Sequence, residues 1–311
     1  GVVVNRSIAK WFKGKEMALA MGVQLALARL GTALAMVTVP QIVNLQGNVP
    51  FSETSKPAYI GMCIILVGLI VWAMFVAMDI KLDRQMISEE DSSVAKESKE
   101  DRFKFSDVIK VLTNREFVLI ALLCVFFYCC IISFRKFATS IIMPRFDIDG
   151  QTASVMVSMI PFFTLVFAPL FGAMVDRVGK GTKIMIFGSV LVLLAHLTIA
   201  FAPSIPAFGF VGIGMLGLGY SLVPAAMWPS IPKIVPEKNL GTAFSLMYWI
   251  QNMGMMLVPV IVGRILDKTG NAINAEYLFI GLAVCSILLA FLLSRASDAK
   301  PELALDERVK K

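Results

Sequence analysis

The chain has 311 residues, of which 57% are apolar and 16% are charged. Soluble domains contain about 45–50% apolar and about 25% charged residues, so this composition excludes an ordinary soluble enzyme or binding domain. The net charge of +7 does not indicate a nucleic-acid partner, because in a membrane protein the distribution of charge between loops matters more than the sum. We therefore expect a protein whose main surroundings are the lipid bilayer.

Eight apolar segments follow a short apolar stub at residues 2–4 and a basic stretch at 10–15. Each segment is long enough to cross about 30 Å of hydrocarbon at about 1.5 Å per residue. Because backbone groups in lipid must be hydrogen-bonded internally, the segments are predicted to be helices of an all-α polytopic membrane protein. They are 17–46, 58–79, 117–141, 152–174, 184–202, 206–228, 241–263 and 276–294.

Lysine and arginine are concentrated in alternate loops. By the positive-inside rule, the loops that are rich in these residues face the cytoplasm. The N-terminal turn, the stretch 80–116 and the tail 295–311 are therefore expected to be cytoplasmic, in a protein of the cell (inner) membrane. The opposite loops carry only Lys56, Arg145, Arg264 and Lys268.

The stretch 80–116 is the one long polar region of the chain. Its mixed charges, without apolar residues at helical spacing, predict a solvated linker. The linker separates residues 1–79, with two full segments, from the six segments within 117–294.

The first full segment and the seventh align with each other at a constant offset. In this register each segment is the fifth helix of a six-helix half. Parallel repeats of six helices around a central cavity are the architecture of major facilitator transporters. Lys15, Ala20, Gly31 and Val39 fall opposite Lys238, Ala243, Gly254 and Val262.

The stretch from Gly172 to Gly181 resembles the G-x-x-x-D-R-x-G-K signature that major facilitator proteins carry between the second and third helices of each half. Asp176 can lie at the positive end of a neighbouring helix, and the repeat places that partner near residues 15–18. Arg177 and Lys180 would hold the cytoplasmic side, so all three are predicted to act in conformational gating. The alternative is an ordinary positively charged loop.

Arg29 is the most informative single residue. It follows the start of its segment by 12 residues, which is roughly 18 Å and close to the bilayer midplane. A cation there is unfavourable by at least about 2.5–3.5 kcal/mol unless it meets a cavity, a partner or a substrate. The predicted segments supply only Asp79, at a cytoplasmic end. Arg29 therefore either pairs with a carboxylate upstream of Gly1 or binds an anionic group of a substrate.

Other polar and aromatic residues share helix faces within the segments. Tyr128 lies seven residues before Arg135, although Arg135 and Lys136 could equally extend to the outer interface. His196 is interpreted as a packed neutral histidine. With five cysteines in apolar segments and one histidine, no metal site and no cofactor are predicted. The predicted substrate-binding residues are Arg29, Tyr128, Arg135, Tyr220, Trp228, Tyr248 and Asn252.

Several stretches together resemble the branch of the major facilitator superfamily that includes the lysosomal dipeptide transporter. The resemblance implies a twelve-helix transporter of which this chain holds the end of the fourth helix through the twelfth, the missing N-terminal helices being its partner. It also implies that Arg29 clamps a peptide carboxylate, with Tyr220 and Trp228 lining the pocket from the other half. The stretches are 11–16, 28–31, 218–222, 228–229, 235–237, 240–243 and 250–254.

These observations predict a transporter of small peptides or amino-acid-like solutes that works by alternating access. With no carboxylate recognised in mid-segment, uniport or weak coupling is favoured. The alternatives are an organic-anion or sugar-phosphate exchanger, with Arg29, Arg135 and Lys136 as a phosphate clamp, and a non-transporting receptor or scaffold. An enzyme is not expected, because the sequence offers no nucleophile–base pair.

Overall fold

The computed structural model describes residues 2–12, 16–42, 55–89 and 105–308. Long helices account for most of these ranges, and no strand occurs within them. The helices are α1 Val2–Trp11, α2 Met17–Ile42, α3 Lys56–Glu89, α4 Phe105–Thr113, α5 Arg115–Phe146, α6 Gly150–Val178, α7 Gly181–Phe201, α8 Pro206–Ile234, α9 Leu240–Thr269 and α10 Ala272–Ala299.

The chain forms two compact units, residues 1–30 with 105–311 and residues 31–104. The second unit contains α3, whose apolar side chains are largely exposed; Ile65, for example, is 72% exposed. An apolar and exposed helix of this length is suited to contact with lipid. The first unit contains the buried core and all the residues discussed below, apart from α3.

Within the first unit, α5 to α10 are joined by short connections. Helix α8 packs against α6 and α7, α10 packs against α7 and α5, and α9 packs against α5 and α1. Small residues allow these close approaches. A Cβ atom at Gly217 would lie 2.8 Å from the Cβ of Phe163 on α6, and one at Gly219 would lie 2.7 Å from Val192 on α7. Glycine packing of this kind is typical of helices in membranes.

Each of the eight predicted segments corresponds to a helix, and this confirms the all-α polytopic fold. In the described ranges, seven helices are long and apolar enough to cross a membrane. Most helices extend several residues beyond the predicted limits, because polar residues at their ends continue the backbone hydrogen bonding. The end of the first predicted segment, 43–46, lies outside the described residues.

The stretch 80–116, predicted to be a solvated linker, contains helical residues at both of its ends, and residues 90–104 lie outside the described ranges. Helix α3 continues to Glu89, and α4 forms within the supposed linker. In α4, Val111 is only 2% exposed and Val108, one turn earlier, is half-buried. Two apolar residues at a helical spacing make a short amphipathic helix, but so few turns give little periodic signal in the sequence.

Helix α5 contains one irregular turn in its middle. Residues Cys129–Ser133 form a π-helical segment between two α-helical stretches. The Cys130 thiol approaches the carbonyl oxygen of Phe279 on α10 at 3.6 Å. A π-helical turn inside an α-helix changes which residues share a face, and such turns are frequent at functional sites. Here the turn separates Tyr128 from Arg135.

Candidate functional site

Asp176, near the end of α6, joins this helix to the start of α2. Its two carboxylate oxygens accept hydrogen bonds from the backbone N–H groups of Ala18 at 3.1 Å and Leu19 at 2.7 Å. These N–H groups belong to the first turn of α2, which has no other intrahelical acceptor for them. The positive end of the helix dipole adds to the attraction. The structure thus confirms the predicted partner of Asp176, at the start of the first full segment.

Small residues bring α2 and α6 together at the same place. A Cβ atom at Gly172 would lie 2.4 Å from the carbonyl oxygen of Ala18, and one at Gly22 would lie 2.4 Å from that of Ala168. Each helix therefore presents two small residues four positions apart, so the backbones touch directly. We call this crossing, together with the bonds of Asp176, the basic-end contact, since the adjoining loops carry most of the lysine and arginine.

The turn after α6 adopts a conformation that needs glycine. Gly179 has a φ of 69° and the following Lys180 a φ of 54°, both in the left-handed region that glycine adopts without strain. The side chains of Arg177 and Lys180 are exposed. They do not take part in the basic-end contact, so of the three predicted gating residues only Asp176 forms it.

The C-terminal tail packs onto this turn. The Asp306 carboxylate accepts hydrogen bonds from the Thr182 backbone N–H at 2.8 Å and from the Thr182 hydroxyl at 2.6 Å. The Lys180 N–H donates to the Asp306 carbonyl at 2.9 Å, and the Lys233 ammonium donates to the carbonyl of Ala304 at 2.8 Å. A cavity of about 270 Å³ lies between this tail, Asp176 and Lys233.

Arg29 lies against Tyr220 deeper in the bundle. Its guanidinium donates a hydrogen bond to the Tyr220 hydroxyl, and its Cζ atom is 5.1 Å from the centre of the tyrosine ring. The Nε atom of Arg29 is buried and has no hydrogen-bond partner in the described residues. No carboxylate within the described ranges forms an ion pair with Arg29. The guanidinium thus keeps donors that are free to bind an anion.

Four aromatic residues form a connected aromatic chain from Tyr220 towards the basic end. The rings of Tyr128 and Tyr220 meet edge to face at 5.9 Å. The Trp228 indole donates to the Tyr128 hydroxyl at 3.0 Å and stacks on Tyr248 at 4.9 Å. Asn5 of α1 then donates to the Tyr248 hydroxyl at 3.3 Å. The aromatic chain and Asn5 together connect α1, α5, α8 and α9. Asn5 was not predicted as part of this site.

Arg135 lies on α5, after the π-helical turn, and is close enough to Arg29 for their charges to interact. The two guanidinium groups repel each other. The Nε atom of Arg135 is also buried without a partner in the described part of the chain. Lys136 is exposed, so the structure separates these two neighbouring cations.

Asn252 does not join the aromatic chain. Its side chain is exposed and donates to the Tyr248 carbonyl of its own helix at 2.7 Å. The helical spacing placed it correctly one turn after Tyr248, but the side chain lies on the outer side of that turn. The prediction of Asn252 as a pocket residue is therefore not supported by this geometry.

A buried ionisable pair was missed in the sequence. His196 Nδ1 lies 2.8 Å from Glu276 Oε2, and the two side chains are 0% and 1% exposed. Rings of Phe134 and Phe279 pack against the imidazole. The statement that Asp79 is the sole acidic residue of the segments was wrong, because Glu276 begins the last predicted segment. On the same two helices, the hydroxyls of Ser189 and Ser286 are 3.0 Å apart.

The fold and these contacts define a multi-pass helical membrane protein with a polar contact between α2 and α6 at one end and, within the described residues, a cation in its helix bundle that no carboxylate neutralises. The family model of the Major Facilitator Superfamily matches residues 125–310, and the chain belongs to this superfamily.

Curated relatives extend the match beyond that region. The lysosomal dipeptide transporter MFSD1 of Mus musculus is 29% identical over 317 residues, covering 99% of this chain and 65% of that protein. The MFSD1 of Homo sapiens is 29% identical over 318 residues, with the same coverage of 99% and 65%. The hexuronate transporter of Bacillus subtilis (strain 168) is 26% identical over 317 residues, covering 96% of this chain and 70% of that protein. The chain thus spans 65% of the length of the two MFSD1 proteins.

These relatives place the chain in the branch that the sequence resemblance predicted. They are named as transporters and not as enzymes, in agreement with that prediction. The word lysosomal in the name of MFSD1 gives no support to the predicted cell (inner) membrane. A multi-pass membrane protein is the description that both the helices and the relatives support.

Proposed function

We propose that the protein to which this chain belongs transports small peptides or amino-acid-like solutes by alternating access. Arg29 binds the terminal carboxylate of the solute, and Tyr220 orients the guanidinium. The remaining helices of the binding site come from the part of the protein that precedes Gly1. The dipeptide transport named for the MFSD1 relatives supports this substrate class.

One observation carries the proposal most directly, namely the state of Arg29. The side chain is half-buried and begins roughly 18 Å along α2 from the basic end. Within the described residues, the guanidinium donates a hydrogen bond to the neutral Tyr220 hydroxyl, and no carboxylate there neutralises its charge. A guanidinium in such a low-dielectric place binds a carboxylate strongly, because two parallel N–H donors match its two oxygens.

The basic-end contact supports the alternating-access part of the proposal. With α2 and α6 touching, the basic end is closed, and the aromatic chain lies between it and Arg29. A solute then reaches Arg29 from the opposite end. In the proposed orientation the basic end faces the cytoplasm, because its loops hold most of the lysine and arginine. Release to that side requires the basic-end contact to open.

Uniport remains our proposal, on a different basis from the sequence argument. Glu276 is a membrane-embedded carboxylate, but it is already bonded to His196 and enclosed by aromatic rings. None of the contacts described above links this pair to Arg29 or to the basic-end contact. We therefore assign the pair of His196 and Glu276 a structural role and no role in proton coupling.

The decisive experiment is uptake of a labelled dipeptide into liposomes that contain the full-length protein. We expect Arg29→Ala to abolish uptake, whereas Arg264→Ala, which removes an exposed arginine at the far end of α9, retains it. Uptake that survives Arg29→Ala unchanged refutes the carboxylate clamp. If the unmodified protein moves no peptide but does move other anions, the substrate class is wrong.

The second candidate is an organic-anion or sugar-phosphate exchanger. It is favoured by the second unpaired cation, Arg135, and by the similarity to a hexuronate transporter. Competition for anion uptake separates the two, since in an exchanger phosphate esters would compete and dipeptides would not. A receptor or scaffold would instead show ligand-induced thermal stabilisation without any flux.

A further inference from the structure

Arg135 has no counter-charge in the described part of the chain. It forms neither a hydrogen bond nor an ion pair there, and its Nε atom is buried. Its electrostatic neighbours are Tyr220, which is uncharged, and Arg29, which repels it. Two guanidinium groups that interact across a low-dielectric interior are unfavourable without a counter-charge. Such an arrangement is stabilised when anionic groups bind between or beside them.

The depth of the two arginines suggests how a ligand would lie. From the basic end, Arg29 and Tyr220 begin roughly 18 Å and roughly 21 Å along their helices, and Arg135 roughly 30 Å along α5. Arg135 is therefore further from the closed basic end, in the direction from which a solute enters. A dipeptide is at most about 7 Å long when extended, and two arginine side chains can reach its two ends from these levels.

The irregular turn of α5 helps to place Arg135. The π-helical segment Cys129–Ser133 precedes it directly, and Tyr128, before the segment, contacts Tyr220 through its ring. In a regular helix, positions seven apart lie on nearly the same face. The wider turn rotates the later residues relative to Tyr128. Tyr128 therefore packs on the Tyr220 ring, while Arg135 lies on a face of α5 that is rotated away from that of Tyr128.

We propose that Arg135 is a second anion-binding residue of the same site, so that the protein prefers peptides with an additional carboxylate, on an aspartate or glutamate side chain. This inference rests on the proposed function and concerns only its specificity. The terminal carboxylate binds Arg29, and the side-chain carboxylate binds Arg135. A lysine-containing peptide is disfavoured, because it would place a third positive charge beside the two arginines.

The test measures uptake of labelled Ala-Ala by the full-length protein and its inhibition by unlabelled Glu-Ala, Ala-Ala and Lys-Ala. We expect Glu-Ala to inhibit at a concentration at least tenfold lower than Ala-Ala, and Lys-Ala to inhibit least. In Arg135→Gln we expect the ratio between the inhibitory concentrations of Ala-Ala and Glu-Ala to fall to about one, whatever the absolute rate of Ala-Ala uptake. The matched control Arg264→Gln, which removes an exposed arginine at the same end of the bundle, keeps the preference.

The possible results separate this inference from the proposed function. If Ala-Ala is transported without a preference for Glu-Ala, or if Arg135→Gln keeps the preference, Arg135 does not bind substrate and the inference is wrong, although the proposed function stands. If no peptide is transported, the proposed function itself fails. Inhibition by a sugar phosphate but not by Glu-Ala also overturns the inference. If Arg135→Gln fails to fold, the peptide preferences of the unmodified protein and of Arg135→Lys test the inference instead. Arg135→Lys keeps a cation at this position, so we expect it to keep the preference for Glu-Ala, and loss of that preference would overturn the inference.

Discussion

Replacing Asp176 by asparagine tests the basic-end contact. The Asp176 side chain is 8% exposed and bonds to two backbone N–H groups at the start of α2. Asparagine keeps one carbonyl acceptor and loses the charge. A hydrogen bond to a charged group contributes about 1.5–3 kcal/mol, and a charge at a partly buried helix end up to about 2 kcal/mol. Since the terms overlap, we expect a loss of about 2–3 kcal/mol from the closed state.

This loss translates into a change of population. At about 1.4 kcal/mol for each factor of ten, the ratio of closed to open molecules falls by about 30- to 150-fold. A ratio of about 100:1 would therefore fall to about 3:1 or below. Spin labels at Val23 of α2 and Val178 of α6, which are 40% and 52% exposed, would report the separation of these two helices. The exposed Cys63 is first replaced by serine so that it takes up no label.

The matched control is Asp298→Asn. This residue is a carboxylate that is 58% exposed and paired with Lys183 at 3.6 Å, and exposed pairs of this kind contribute less than about 1 kcal/mol. We expect Asp298→Asn to leave the distance distribution unchanged and Asp176→Asn to add a longer distance. Identical distributions in both variants would refute the idea that Asp176 holds the basic end closed.

Three further predictions concern other contacts. Gly172→Ala places a Cβ atom 2.4 Å from a backbone oxygen of α2, so the same spin labels should report a longer distance, whereas Gly281→Ala, which has open space around it, should not change it. Tyr220→Phe removes the hydroxyl that accepts from Arg29 and should weaken the peptide affinity about tenfold, by about 1–1.5 kcal/mol, as measured by uptake inhibition; an unchanged affinity would contradict the orienting role. His196→Ala and Glu276→Ala should each lower the free energy of unfolding by about 1–3 kcal/mol, as measured by thermal unfolding. The double variant should lose less than the sum of the two, and strictly additive losses would show that the two residues do not interact.

Local patterns in the sequence were sufficient to predict the helices and to single out Arg29 and Asp176. The positions of α5 to α10 follow from apolar length alone, because lipid leaves the backbone no alternative to a helix. Arg29 stands out because a mid-segment cation is rare and unfavourable. The partner of Asp176 could be predicted because an internal repeat carries positional information between distant parts of the chain.

The contacts between distant helices could not be predicted in the same way. The order of the aromatic chain depends on how α5, α8 and α9 are rotated, and several rotations bury similar apolar areas. The π-helical turn that separates Tyr128 from Arg135 has no known sequence signature here. The docking of Asp306 joins a tail of ordinary polar composition to a turn more than 120 residues earlier, and composition does not encode such a pairing.

The pair of His196 and Glu276 has a mechanical consequence. Within the described residues, polar side chains link α7 and α10 at three levels: this pair at one end, the two serine hydroxyls in the middle, and Lys183 at the other end, where it bonds to Ser294 at 2.7 Å and pairs with Asp298. Sliding one helix along the other would break all three links at once, and two of them are shielded from water. We therefore expect α7 and α10 to move as one rigid pair in the proposed transport cycle, with bending confined to helices that contain an internal proline, such as α5, α6, α8 and α9.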